Sequence, residues 1–438
     1  MPTTPNAVQT LRLSPIAMGL AALLLIPSAP AAPGGSDVFV VTSCADDGSD
    51  GTLRSVVASA PGGGTIDLRG LTCSTITLQT GAIDSHFQAL TLLGPGADRL
   101  TIDGNDLDRV FEVGSITIDG LTVTHGRVTG DSARGGCIEA SLGVVLRSAR
   151  VVSCGAYGTQ SAIGGGIFAG YYVDLYSSTV SDNTLVATAG YARGGGIGTT
   201  YSRVTADFST ISGNVATGTP ASGGGVFAMG FSEATNSTID NNVADIGGGW
   251  FCEQTFFSSG VCRFFDSTVS GNTARDSGGG LVAYRANIDI RNSTFALNAA
   301  ETGHVGGVLK SGPGDFDITL QSSILANNTA GDTDLAADID TDTGDFPVVT
   351  GGDDLMTSVG RIQPFPIVSG DPKLEPLAYN GGPTRTHALT QSSPAIDAGN
   401  NVAAFEIDQR GSARVAGSAP DIGAYELQPD KIFANGFE

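Results

Sequence analysis

Three groups of side chains in this sequence have the types and spacing that chemistry requires. Arg285, Asp289 and Arg291 fall within seven residues. A guanidinium beside a carboxylate can assist proton transfer or steady a growing charge; the competing reading is a surface ion pair. Asp338, Asp340 and Asp342 alternate with Ile339 and Thr341, and Asp345 follows closely. Hard carboxylate oxygens in such a series suit Ca2+. An EF-hand would carry Gly at its sixth place and Glu at its twelfth, but Thr343 and Val349 stand there, so a solvated acidic loop competes with a metal site. The third group is aromatic: Tyr171, Tyr201, Phe231, Phe257 and Tyr284 each follow a glycine triplet. In one exposed stripe they would stack against sugar rings, and turned inward they would form a core ladder. His86, His125, His304 and His387 are scattered. No glycine triplet is followed by the Lys-Ser/Thr of a phosphate-binding loop.

What would position these groups is a repeat. Ser-x-apolar-x-x-Asn recurs at Ser178 to Asn183, Ser209 to Asn214, Ser237 to Asn242, Ser267 to Asn272, Ser293 to Asn298 and Ser323 to Asn328. The Asn-to-Asn steps are 31, 28, 30, 26 and 30. Glycine triplets with an apolar follower begin at Gly164, Gly194, Gly223, Gly247 and Gly278. A fixed period of roughly 20–50 residues marks a solenoid, propeller or array. Short alternating runs, such as Val173-Asp-Leu175 and Ile288-Asp-Ile290, read as strands, and no helical period lies between them. A propeller blade needs about 40–45 residues, so the shorter step predicts one coil of a three-faced parallel β-helix. Equivalent residues of adjacent coils then lie about 4.8 Å apart. Asn183, Asn214, Asn242, Asn272, Asn298 and Asn328 are expected to form an amide ladder at one corner. The triplets are expected to allow positive φ and close backbone approach at another. On this reading Asp289 faces outward between Ile288 and Ile290.

Composition and charge agree. Of 438 residues 63 are glycine, about twice the usual ~7%. Acids outnumber Lys and Arg by 44 to 22, a net charge of −22, which argues against nucleic acid or an anionic membrane surface as partner. Arg12, the apolar run Ile16 to Ile26 and Ala29-Pro30-Ala31 have the layout of a secretory signal peptide cleaved after Ala31. No later stretch reaches the ~18 apolar residues of a membrane helix. An oxidising destination suits the six cysteines. Sequence neighbours suggest the pairs Cys44–Cys73, Cys137–Cys154 and Cys252–Cys262, while a zinc site lacks its CxxC spacing. Leu53 to Ala60 reads as a short amphipathic helix, suited to capping the first coil.

Several stretches resemble known families. Val38 to Leu68, with Asp46-Asp-Gly48, Gly51-Thr-Leu-Arg54 and Gly64-Thr-Ile-Asp-Leu68, resembles the CSLREA-type N-terminal segment of bacterial surface β-helix proteins. Residues 120–330 resemble polymorphic outer membrane protein repeats. Residues 371–428 resemble the choice-of-anchor Q C-terminal domain, through Asn380-Gly-Gly-Pro-Thr-Arg-Thr-His387, Ser393-Pro-Ala-Ile-Asp-Ala-Gly399, Asp408-Gln-Arg-Gly411 and Asp421-Ile-Gly-Ala-Tyr-Glu426. Asp430 to Glu438 resembles short tails of some secreted gammaproteobacterial proteins. The resemblance implies a right-handed parallel β-helix exported to the surface or medium of a Gram-negative bacterium, and no single activity. The Asn-Thr-Asp, Gly-His-Gly and Arg-Ile-Lys motifs of polygalacturonases are absent.

The expected fold is therefore an all-β parallel β-helix of about 29 residues per coil. Its expected parts are a signal peptide (1–31), an N-terminal cap with first coils (32–119), the repetitive helix (120–330), a β-rich C-terminal capping region (331–428) and a tail (429–438). The expected role, without a cofactor unless Ca2+ binds, is a non-catalytic binding or adhesion scaffold for a polysaccharide or a surface or host protein. A polysaccharide lyase or glycoside hydrolase is the alternative, and a purely structural surface protein is the third reading.

Overall fold

The computed structural model describes residues 37–85, 88–254, 260–314, 316–331, 337–342, 347–362 and 365–429. The segment expected to be a signal peptide (1–31), His86, Phe257, Thr343 to Asp345 and the tail from Asp430 lie outside these residues. All described residues fall in one of the chain's two units, the one that begins at Asp37.

Strands of this unit stack coil upon coil into three parallel sheets, of twenty, twelve and ten strands among the described residues. From Gly164 to Ala330 each coil contributes two short strands to the largest sheet, one to the twelve-stranded sheet, and one or two to the third. The coil at Gly164 is representative. Ile167–Ala169 and Tyr172–Tyr176 belong to the first sheet, Thr179–Ser181 to the second, and Thr184–Ala187 with Tyr191–Arg193 to the third. The apolar residue two after each repeat serine points into the core. Val180, Ile211, Ile239, Val269, Phe295 and Leu325 stack in register and are fully buried. Alternation inside the strands thus becomes a continuous column of side chains across coils.

The corners explain the repeat's polar letters. Each ladder asparagine donates its backbone N–H and its side-chain amide to the Oδ1 of the next, at 3.0–3.1 Å and 2.9 Å. The repeat serines form a second ladder, in which each backbone N–H donates to the next hydroxyl, from Ser178 to Ser323. Both ladders end on a buried aspartate. Asn328 donates to Asp338 Oδ1, and Ser323 N–H donates to Asp354 Oδ1 at 2.8 Å. A carboxyl oxygen takes the place of the next amide or hydroxyl oxygen as acceptor, and burial raises the pKa of both aspartates, that of Asp354 well above the ordinary carboxyl range. The left-handed backbone falls not on the ladder asparagines but on the residue before each, Asp182, Gly213, Asn241, Gly271, Leu297 and Asn327.

The glycine triplets work one residue at a time. Gly164 has φ +69°. A Cβ on Gly165 would run into the carbonyl oxygen of Gly195 in the next coil, and one on Gly166 would press on the Asn183 amide at 2.8 Å. The triplet therefore sets both the turn and the space that the amide ladder occupies.

All three expected disulfides are present, with Cα–Cα separations of 6.4 Å (Cys44–Cys73), 5.5 Å (Cys137–Cys154) and 6.3 Å (Cys252–Cys262). The last pair is fully buried. At the N-terminal end the helix Leu53–Ser59, capped by Thr52, buries Leu53, Val56 and Val57 against the first coils. At the other end Ile362 is buried and Phe365 packs on the same core.

Residues 371–428 form isolated bridges rather than strands among the described residues. This segment runs back along the outer face of the twelve-stranded sheet as a strap. Thr238 Oγ1 donates to Arg385 O at 2.6 Å, Thr268 Oγ1 to Gln409 Oε1 at 2.6 Å, and Ala424 N–H to Thr294 Oγ1 at 3.1 Å. Arg385 pairs with Asp240, and the buried Arg414 lies 3.2 Å from Asp266 and 3.5 Å from Glu426. The segment thus covers a flank of the solenoid, while the residues around Ile362 and Phe365 cover its end.

Candidate functional site

The outer face of the twenty-stranded sheet carries most of the side chains the sequence singled out. Pleating turns every second residue outward, and parallel register places equivalents one above another. One outward row reads Asp174, Thr205, Glu233, Arg263, Asp289 and Thr319 on successive coils. Asp289 faces outward as expected. Its partners are Arg291, at 2.7 Å, and Arg263, at 4.0 Å, and Arg263 also lies 3.7 Å from Glu233. Arg285 sits at a turn with φ +53°.

The row's first coils border a shallow depression of about 400 Å3 lined by Asp174, Tyr176, Arg203, Asp207 and Glu233, among others. Arg203 grips Asp174 through two nitrogens, at 3.0 and 2.7 Å, and Thr205 Oγ1 donates to the same carboxylate at 2.8 Å. Such a bidentate pair fixes the guanidinium plane. Burial raises the pKa of Asp207, with Asn236 and Phe208 N–H acting in the opposite sense. Guanidinium groups lie over aromatic faces along the same surface: Arg203 over Tyr172, Arg263 over Phe231 and Arg291 over Phe265, at 5.2, 5.2 and 5.5 Å. The charged groups of this face are thus largely engaged with one another and with rings.

The aromatics singled out by sequence do not share one column. Tyr171 and Tyr201 occupy the turns entering adjacent outward strands. They are 48% and 55% exposed, with ring centroids 5.4 Å apart. Phe231 lies beneath Arg263. Tyr284 is in register with Glu253 in a neighbouring column. It is half-buried and packs on Phe251, which stacks on Phe227.

The aspartate series is drawn into the coil ends. Asp338 accepts from Asn328 on one oxygen and from Thr357 and Ser358 on the other. Asp340 pairs with Arg361 at 3.2 Å, and Asp342 accepts from Ser311 Oγ at 2.6 Å and Gly312 N–H. Among the described residues no three His, Cys, Asp or Glu side chains converge as metal ligands. His387 belongs to the strap contact. Its Nδ1 lies 2.8 Å from Glu375 O and its Nε2 2.8 Å from Ser270 Oγ. The carbonyl can only accept, so Nδ1 carries the proton and Ser270 donates to Nε2. Sequence reasoning missed Asp174, Arg203 and Glu233. The available signal was register: Asp174 and Glu233 stand two residues into their outward strands, and Arg203 opens its strand in line with Tyr172 and Phe231.

No family model matches the chain, and no curated protein does. Among solved structures, a crystal structure of the pectate lyase Pel9A is similar with a TM-score of 0.48 and 12% identity, over 89% of this chain and 96% of that one. No helix among the described residues is long and apolar enough to cross a membrane.

Proposed function

We propose that this chain is an exported, non-catalytic β-helix scaffold that binds a polysaccharide, or a surface or host protein, outside a Gram-negative cell. In this reading residues 1–31 are removed on export and 32–119 begin the stack. Residues 120–330 present the binding surface, 331–428 cap it, and a tail follows from residue 429. The motif resemblances and the oxidised cysteines support export. The observation that carries the binding role is the exposed Tyr171–Tyr201 pair on the same face as a depression in which Arg203 is held by Asp174 and Glu233 faces Arg263. Stacked rings offer sugar an apolar platform, and weak sites along a repeated face add up through multivalency.

Binding to a panel of neutral and uronic oligosaccharides, followed by calorimetry, tests this directly. Changing Tyr171→Ala and Tyr201→Ala together is expected to weaken binding about three- to tenfold, the scale of one aromatic contact. Release of shortened oligosaccharides by the purified chain would overturn the reading in favour of a glycan-cleaving enzyme.

A further inference from the structure

The strap leaves part of its own docking surface bare. In the twelve-stranded sheet one outward row of threonines, Thr179, Thr210, Thr238, Thr268 and Thr294, runs in register across five coils. The hydroxyls of Thr238, Thr268 and Thr294 bond to strap groups. Those of Thr179 and Thr210, on the two coils beyond the strap's edge, have no hydrogen bond to protein among the described residues. The same tripeptide, Thr-Val-Ser, forms the strand at Thr179 and at Thr268, so the two coils differ in what covers them rather than in what they offer.

The bare hydroxyls face a cavity of about 370 Å3, whose lining includes Thr179, Thr210, Arg150, Asp98, Tyr379 and Pro383. Three parts of the chain build it. The sheet supplies the floor, the loop at Asp98 one wall, and the strap the other. Tyr379 is 68% exposed, an unusual cost for a ring unless something covers it. Arg150 and Asp98 face each other at 2.5 Å and are both accessible. Their charges cancel, so the cavity selects neither anions nor cations strongly.

We infer that this cavity is a second binding site, separate from the Tyr171–Tyr201 face, for an uncharged saccharide unit. A row of hydroxyls both donates and accepts, as sugar hydroxyls do. An Arg–Asp pair supplies one charged donor and one charged acceptor to a vicinal diol. Tyr379 and Pro383 cover the apolar face of the ring. The volume lies at the small end of the roughly 300–1,000 Å3 typical of small-molecule pockets, which fits one or two sugar units.

The test titrates the full chain with cellobiose, mannobiose, N-acetylglucosamine dimer and inorganic phosphate, read by calorimetry and ligand-detected NMR. At least one neutral disaccharide is expected to bind. Its affinity should fall about three- to tenfold in Tyr379→Ala and about fivefold in the near-isosteric double change Thr179→Val with Thr210→Val. It should persist in Tyr171→Ala with Tyr201→Ala and at 0.5 M salt, roughly where screening removes charge attraction. Circular dichroism confirms that each variant keeps its sheets. The inference is overturned if no disaccharide binds, if the Tyr379 and threonine variants bind as the parent does, if only the Tyr171 and Tyr201 changes abolish binding, or if phosphate binds more tightly than every sugar.

Discussion

Replacing Asn242 with alanine removes one rung from the middle of the asparagine ladder. The side chain is fully buried. Its Oδ1 accepts both the N–H and the amide of Asn214, and its own amide donates to Asn272 Oδ1 and to Ile211 O. Truncation leaves the Asn214 N–H without its acceptor, takes one of two acceptors from the Asn214 amide, and takes a donor from Ile211 O. Each buried group left unsatisfied costs about 1–3 kcal/mol, so a loss of about 3–5 kcal/mol is expected. Urea unfolding of the full chain, followed by far-ultraviolet circular dichroism, measures it. Asn242→Asp is a sharper probe. A carboxylate still accepts from Asn214, but it has nothing to donate to Ile211 O and sets an oxygen against Asn272 Oδ1. The variant should be as unstable as the alanine change at neutral pH and partly recover in acid, where the protonated carboxyl regains a donor. A cost below about 1 kcal/mol for Asn242→Ala, or an Asn242→Asp variant as stable as the parent, would refute the view that the ladder holds the coils in register.

Other outcomes follow from the same geometry. Asp338→Asn should destabilise the chain, because an amide there meets donors from Asn328, Thr357 and Ser358; a thermal midpoint equal to the parent's would contradict the terminus assigned to Asp338. Gly195→Ala, whose Cβ would strike Gly224 O, should cost several kcal/mol, ~3 or more, whereas Gly130→Ala meets open space and should be close to neutral in the same unfolding assay. Reducing the disulfides should cost about 2–4 kcal/mol for each bridge, and non-reducing peptide mapping should return only the pairs Cys44–Cys73, Cys137–Cys154 and Cys252–Cys262. Burial where the strap meets the sheet raises Asp266 and Glu426 to about 7. The folded state therefore holds these protons more tightly than the unfolded chain. Their contribution to stability is full below the ordinary carboxyl range and is lost as pH rises through about 7; Asp266→Asn should flatten that fall in a series of unfolding curves.

The parts of this fold legible in sequence are those in which one coil repeats the next. The serine-to-asparagine spacing located the ladder, the apolar residue two after each serine located the core column, and the short cysteine separations located all three bridges. Other features depend on partners that no local pattern marks. The positive-φ corner passes through Asp182, Gly213, Asn241, Gly271 and Asn327, all types that tolerate it, but also through Leu297, which no local pattern marks and which the ladder beside it holds there. Asp338 was hidden as a ladder terminus because it follows Asn328 by ten residues instead of a full coil. The strap joins Thr238 to Arg385 and Thr268 to Gln409 across more than a hundred residues, a separation that periodicity cannot reach. Tyr284 missed the column of Tyr171 and Tyr201 because register places it one position earlier in its coil.

The ladders run one way, and that bears on how such a chain changes length. Every amide-to-amide bond runs toward the C-terminal coil, so the stack has a distinct beginning, where Cys154 N–H meets Asn183, and a distinct end at Asp338. A coil added beyond Asp338 would find no donor there to continue the series. A coil removed from the interior leaves both ends intact, since Asn183 and Asn214 make the same bonds. The strap restricts where this is possible, because its contacts are tied to the coils from Asn236 to Ser322. Whole-coil gain or loss is therefore confined to the span between Cys154 and Asn214. Deleting 184–214 as a unit should yield a shorter, folded solenoid, while deleting 243–272 would pull the strap out of step. Length variation among proteins built on this plan would accumulate in that interval.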